Sequence, residues 1–314
     1  MSQPSSAQTT SKKKNRLFIL IALIILILIL LFSLSMCGKG PSTQNQGDPL
    51  VFEDPVFEQA VKTSLNKGSN DSVYTSDLSE IKTLSIIGDT LLMYKSGEEQ
   101  KRLVFFFGTA VEIDGVRQEA QGTLTSLADL KHFPNLALLT VALQKNINFS
   151  TIKAIPNVHY LHIYGSDVDT LDFVKYSNIL TTLDVDYHQI TTLDALKDST
   201  KLKRVSVAFG PLEDIEGLKD CVLITDLDLS ENNVTDISAL EKLTALEELY
   251  LRENNITDIS VVANLKELTF LGLSQNNISD VSPIASLEKL TRIMLADNPV
   301  SNMESISKYE DIIE

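Results

Sequence analysis

The chain has 314 residues, a formal net charge of −15, 43% hydrophobic residues and two cysteines. Two cysteines exclude a disulfide framework, and the acidity argues against nucleic acid, heparin-like polymers and anionic lipid surfaces as partners. The charge is uneven: Lys12, Lys13, Lys14 and Arg16 make the first 37 residues +4, leaving −19 for the rest.

Residues 1–16 read as a basic tail and residues 17–37 as an apolar run, unbroken from Leu17 to Phe32. A bilayer-spanning helix needs ~20 mostly apolar residues, and the cations before the run would keep the N-terminus cytoplasmic. The expectation is therefore a single-pass transmembrane anchor with the rest of the chain extracellular. Lipid anchoring at Cys37 is the alternative, because Leu34-Ser35-Met36-Cys37-Gly38 resembles a bacterial lipobox. Residues 38–51, polar and rich in Gly, Pro and Ser at the start, read as a flexible linker.

Residues 52–79 are expected to form an α-helical N-terminal cap. Asp54 suits an N-cap, Pro55 the first helical position, Phe57, Val61 and Leu65 share one face, and Gly68 is a stop. Residues 80–134 read as an incomplete first repeat, with Ile81, Leu84 and Ile86 as its apolar positions. An insertion of about residues 88–122 interrupts it. One hairpin is expected between Leu91–Tyr94 and Arg102–Phe107, and another over Ala110–Gln118 around Asp114-Gly115. The insertion is either a binding element or an edge cap, with Phe105–Phe107 covering the open end of the core.

From residue 135 to residue 310 a 22-residue unit recurs eight times without slippage. Numbered within the unit, positions two, five and seven are apolar, as in Leu246, Leu249 and Leu251. Five and seven share one face of a short strand, so four, six and eight face the other way. Positions twelve, fifteen and eighteen, as in Val234, Ile237 and Leu240, are spaced for 3₁₀ turns on the return path. Asn232, Asn254, Asn276 and Asn298 occupy position ten, where a buried amide can satisfy backbone groups. Gln144, Ser166, His188 and Gly210 stand there in the earlier, diverged units. Cys221, at a position held by Leu in the three units that follow, reads as a buried small hydrophobe. Residues 311–314 are a short C-terminal end, and the chain is expected to finish in an amphipathic closing turn with Ile306, Tyr309, Ile312 and Ile313.

The L-x-x-L-x-L-x-x-N-x-I-x-D-I pattern, with the cap sequence Phe52–Lys67, resembles the bacterial leucine-rich repeat family of the internalin type. The resemblance implies a solenoid of α/β class: a parallel β-sheet on the concave face, 3₁₀ or irregular turns on the convex side and an α-helical cap. Neither wall anchoring nor the family's host receptors are carried over, because no inter-repeat domain, wall-binding module or sorting signal is evident.

Positions four, six and eight of units two to four place Tyr160, His162, Tyr164, Asp184, Asp186 and Arg204 on adjacent strands, with Tyr187 and Phe209 at position nine. Tyr, Arg and His are frequent in binding hot spots, so these residues are the expected ligand-binding patch. The function expected is binding of a protein partner through the concave face. Self-association in envelope organisation and binding of a cell-envelope glycan are the alternatives. No catalytic residue, cofactor or metal site is expected, since neither a phosphate loop nor a nucleophile elbow nor metal-ligand spacing occurs.

Overall fold

The computed structural model describes residues 47–309 and 311–313. Within them, each unit contributes one short strand and one return turn. Eleven strands form one sheet. In chain order, β1 is Ile81–Ile87, β2 Thr90–Lys95, β6 Leu138–Ala142, β7 Tyr160–Tyr164, β8 Thr182–Asp186 and β9 Arg204–Ala208. They continue as β10 Asp226–Asp228, β11 Glu248–Tyr250, β12 Phe270–Gly272, β13 Arg292–Met294 and β14 Ile312–Ile313. The order β14 through β6, then β1 and β2, follows the sequence except across the insertion. All neighbours are parallel save β1 and β2.

Register explains why the repeat tolerates no slippage. Leu227 pairs with Leu249 and Leu249 with Leu271, so identical positions stack. A shift of one residue would turn the leucines outward. Positions two, five and seven are buried in every unit, as are Val234, Ile237 and Leu240 and their equivalents in units two to seven. The return path forms 3₁₀ turns, including Asp172–Tyr176, Ser238–Lys242 and Ser260–Asn264. The Asn ladder closes the turn out of the sheet. The Asn254 amide donates to the carbonyls of Leu229 (2.9 Å) and Leu251 (3.2 Å) and accepts from the Val234 N–H (2.9 Å). Asn276 repeats these bonds one unit later.

The expectation of an α-helical cap over residues 52–79 is corrected. One ten-residue helix, α1 (Pro55–Ser64), and a single turn, α2 (Thr75–Leu78), are its helical parts. Between them Gly68 and Asp71 close a tight turn, the Asp71 carboxylate accepting from the Gly68 N–H at 2.6 Å, and the helix cannot continue. Asp54 starts α1 by accepting from Val56 and Phe57, and its second oxygen accepts from the Thr125 N–H at 3.0 Å, tying the helix to the first return path. Burial pushes the Asp54 carboxyl up, but the N–H groups of Thr125, Phe57 and Val56 outweigh it and hold it below the ordinary value.

The membrane element of the expected fold is corrected as well. No helix among the described residues is long and apolar enough to cross a membrane. The apolar run of residues 17–37 lies outside the described residues, as do the basic tail and most of the linker. The localisation built on that run, a single-pass chain with a cytoplasmic N-terminus or a lipid anchor at Cys37, is not carried forward.

The insertion is arranged differently from the two expected hairpins. β2 turns back through Gly88 and Asp89 to pair with β1, not with the Arg102–Phe107 segment. That segment contains β3 (Leu103–Phe106), which joins β4 (Ala110–Ile113) and β5 (Val116–Gln118) in a separate three-stranded antiparallel sheet. The hairpin at Asp114-Gly115 forms as its sequence suggests. The closing turn also differs: Ile306 is buried, but Ile312 adds a last parallel strand beside Ile293.

Candidate functional site

Positions four, six and eight form the outward face of the sheet. Tyr160, Asp184 and Asp186 are half-buried there, Arg204 is exposed, and His162 and Tyr164 are buried, at 8% and 4% exposure. The Tyr160 hydroxyl donates to Asp184 at 3.1 Å. The Arg204 guanidinium lies 3.5 Å from the other oxygen of Asp184, and the His162 ring 3.5 Å from Asp186. Burial and then the Asp184 carboxylate raise the Tyr160 phenol well above its ordinary value, so it stays a donor.

A second chain of contacts runs along position nine. Tyr164 meets Tyr187 edge-on at 5.4 Å, and Tyr187 stacks on Phe209 at 4.7 Å and 12°. Tyr187 is half-buried and Phe209 36% exposed. Each of the eight residues of the expected patch thus touches another of them.

The three-stranded sheet of the insertion lies on this face. Phe105 packs at 4.7 Å from both His162 and Tyr164, and the Tyr164 hydroxyl accepts from the Gly108 N–H at 2.7 Å. Val111 and Ile113 join Ile87, Ala142, Leu143 and Tyr164 in a buried cluster separate from the solenoid core. The covering of His162 and Tyr164 has no counterpart in sequence periodicity, since Phe105 stands far from both along the chain. Burial pushes the Tyr164 phenol up to about 12, against the Gly108 N–H that favours its ionised form.

Position nine carries a further feature. Leu143, Gly165, Tyr187, Phe209, Glu231, Glu253, Gln275 and Asp297 all have left-handed backbone, with φ between 54° and 62°. The turn therefore accepts ordinary side chains, and Gly165 is required for another reason. A Cβ at Gly165 would collide with the Gly108 carbonyl, so glycine is what lets the insertion touch down.

Past Arg204 the face becomes acidic. Asp226, Asp228 and Glu248 are half-buried, and burial raises the Asp228 carboxyl despite the Ser230 groups that lower it. Tyr250 donates to Glu248 at 2.8 Å and stacks on Phe270 at 4.5 Å. Phe270, at position four of unit seven, escaped the sequence reading; its strand position was the available signal. Among the described residues no group of three His, Cys, Asp or Glu is placed to hold a metal ion.

Comparison with known proteins supports the repeat reading. A family model for leucine-rich repeats, two copies, matches residues 224–264. No curated protein sequence matches the chain. Among solved structures, internalin C2 of Listeria monocytogenes is similar at 23% identity and a TM-score of 0.57, over 78% of this chain and 94% of that one. The internalin InlF of the same organism gives 18% identity and a TM-score of 0.51, over 86% and 98%. The functional domain of the Listeria InlJ, described as including a cysteine ladder, gives 19% identity and a TM-score of 0.54, over 83% and 54%. At these identities the likeness speaks for the fold, and the ladder in this chain is built of asparagine. The chain has a leucine-rich repeat fold of the internalin type.

Proposed function

We propose that this chain binds a protein partner through the outward face of its parallel sheet, from Arg204 on β9 to Tyr250 on β11. Leucine-rich repeat folds are typical of protein–protein interaction, and a rigid sheet fixes its side chains without further ordering cost. The observation that carries the reading is the division of the expected patch. The insertion covers His162 and Tyr164, while Arg204 and the acidic and aromatic residues beyond it stay open to a partner. The partner's contact surface is accordingly expected to be polar and predominantly basic.

Affinity capture with the wild-type chain and with Arg204→Glu/Asp226→Lys tests this. Both side chains lie outside the core, so circular dichroism should not change. A partner retained by the wild type should be weakened at least tenfold by the variant. Equal retention of every specific partner would refute the reading.

A further inference from the structure

Phe107 is 83% exposed and holds a left-handed backbone, φ 47°, which disfavours a bulky side chain. Among the described residues no ring or cation is paired with its phenyl. Its neighbour Gly108 lies against Tyr187, where a Cβ would strike the tyrosine ring, and the bond from Gly108 to Tyr164 fixes the tip there. The tip thus holds the exposed Phe107 one residue from the contact with Tyr187, so an aromatic shelf beside the sheet is bounded by Phe107 at one end and the Tyr187–Phe209 stack at the other. Its continuation along position nine is acidic. Glu231 and Glu253 follow Phe209, and Arg252 is shared between them, so two carboxylates meet one cation. In a chain of net charge −15, an anionic segment is repelled from this shelf and a purely apolar one leaves the carboxylates unmatched.

We propose that the shelf of Phe107, Tyr187 and Phe209 docks an extended segment of a protein partner that alternates apolar and cationic side chains. The apolar groups and guanidinium planes lie on the rings, where a cation over an aromatic face is attracted, and the remaining cations meet Glu231 and Glu253. This rests on the sheet side being a protein-binding face, and adds to it a second surface and the chemistry of the segment that occupies it.

The test is fluorescence anisotropy on the full-length chain with three ten-residue probes, alternating Arg and Leu, Arg and Ser, or Glu and Leu. The Arg–Leu peptide should bind, the Arg–Ser peptide at least tenfold more weakly, and the Glu–Leu peptide not measurably. Phe107→Ser/Phe209→Ser should weaken Arg–Leu binding at least tenfold, and Glu231→Gln/Glu253→Gln should weaken it and flatten its salt dependence. No binding of the Arg–Leu peptide, equal binding of the Arg–Ser peptide, or indifference to Phe107→Ser/Phe209→Ser would overturn the proposal. Where Arg204→Glu/Asp226→Lys abolishes partner capture and the shelf variants leave it intact, the shelf fails and the sheet reading stands. Loss of capture in neither set removes both.

Discussion

At position ten the side chain decides how the backbone is satisfied. His188 is 1% exposed, and its Nδ1 accepts from the Ile190 N–H at 3.0 Å. In the later units that N–H is served by the asparagine of the following unit, as Asn276 serves Ile256. Here the following unit has Gly210, and a Cβ on Gly210 would run into the His188 ring. Histidine and glycine therefore replace one rung together. Gln144 and Gly122 make a similar exchange: a Cβ on Gly122 would meet the Gln144 amide, which donates to the Gly88 carbonyl. Gly210→Asn alone should cost about 1–3 kcal/mol through overpacking. His188→Asn alone should cost a similar amount, about 1–3 kcal/mol, by leaving the Ile190 N–H unpaired. The double variant should recover most of the loss in a denaturant double-mutant cycle, and simple additivity would refute the exchange. Burial lowers the His188 pKa from 6.5 to about 4. The unfolded chain then binds the extra proton first, so the contribution of His188 is intact above about 6.5 and is lost as pH falls toward about 4. His188→Asn should flatten the stability profile across that window.

The insertion shows what an element adds to a repeat stack. β3, β4 and β5 form a small sheet, and its apolar side, with Phe105, Val111 and Ile113, finds its counterpart on the face of β1, β6 and β7. Gly165 is a point of close approach, where a Cβ would collide with the Gly108 carbonyl. Gly165→Ala should loosen the contact, and Gln275→Ala, at the same left-handed φ but away from the insertion, serves as control. Hydrogen exchange followed by mass spectrometry should show faster exchange over residues 103–118 in Gly165→Ala only, with residues 224–264 unchanged. Unchanged protection of residues 103–118 would mean that the insertion is held by something other than this contact. The repeats were legible in the sequence because each leucine rung recurs at one fixed interval and each position has a single partner. The docking of the insertion was not, because Phe105 and Tyr164 share no period and Gly165 reads as an ordinary turn glycine. The left-handed run at position nine was equally hidden, since Leu143, Tyr187 and Phe209 are not the residues by which such backbone is usually marked.

Across the described repeats, the interior and the outer face of the sheet are built from different columns of one lattice. Positions two, five and seven build the repeat core, while four, six and eight line the other face of the sheet and nine its edge, so the units can diverge there without disturbing the stack. The sequence showed which residues face outward; which of these stay free depends on the fold of the insertion. The most direct test is hydroxyl-radical footprinting of the full-length chain with residue-level mass spectrometry. Phe107 and Phe209 should label readily, while Tyr164 and His162 should be protected in the wild type and become reactive in Gly165→Ala. Labelling of Tyr164 as strong as that of Phe209 in the wild type would show the face uncovered and contradict the account.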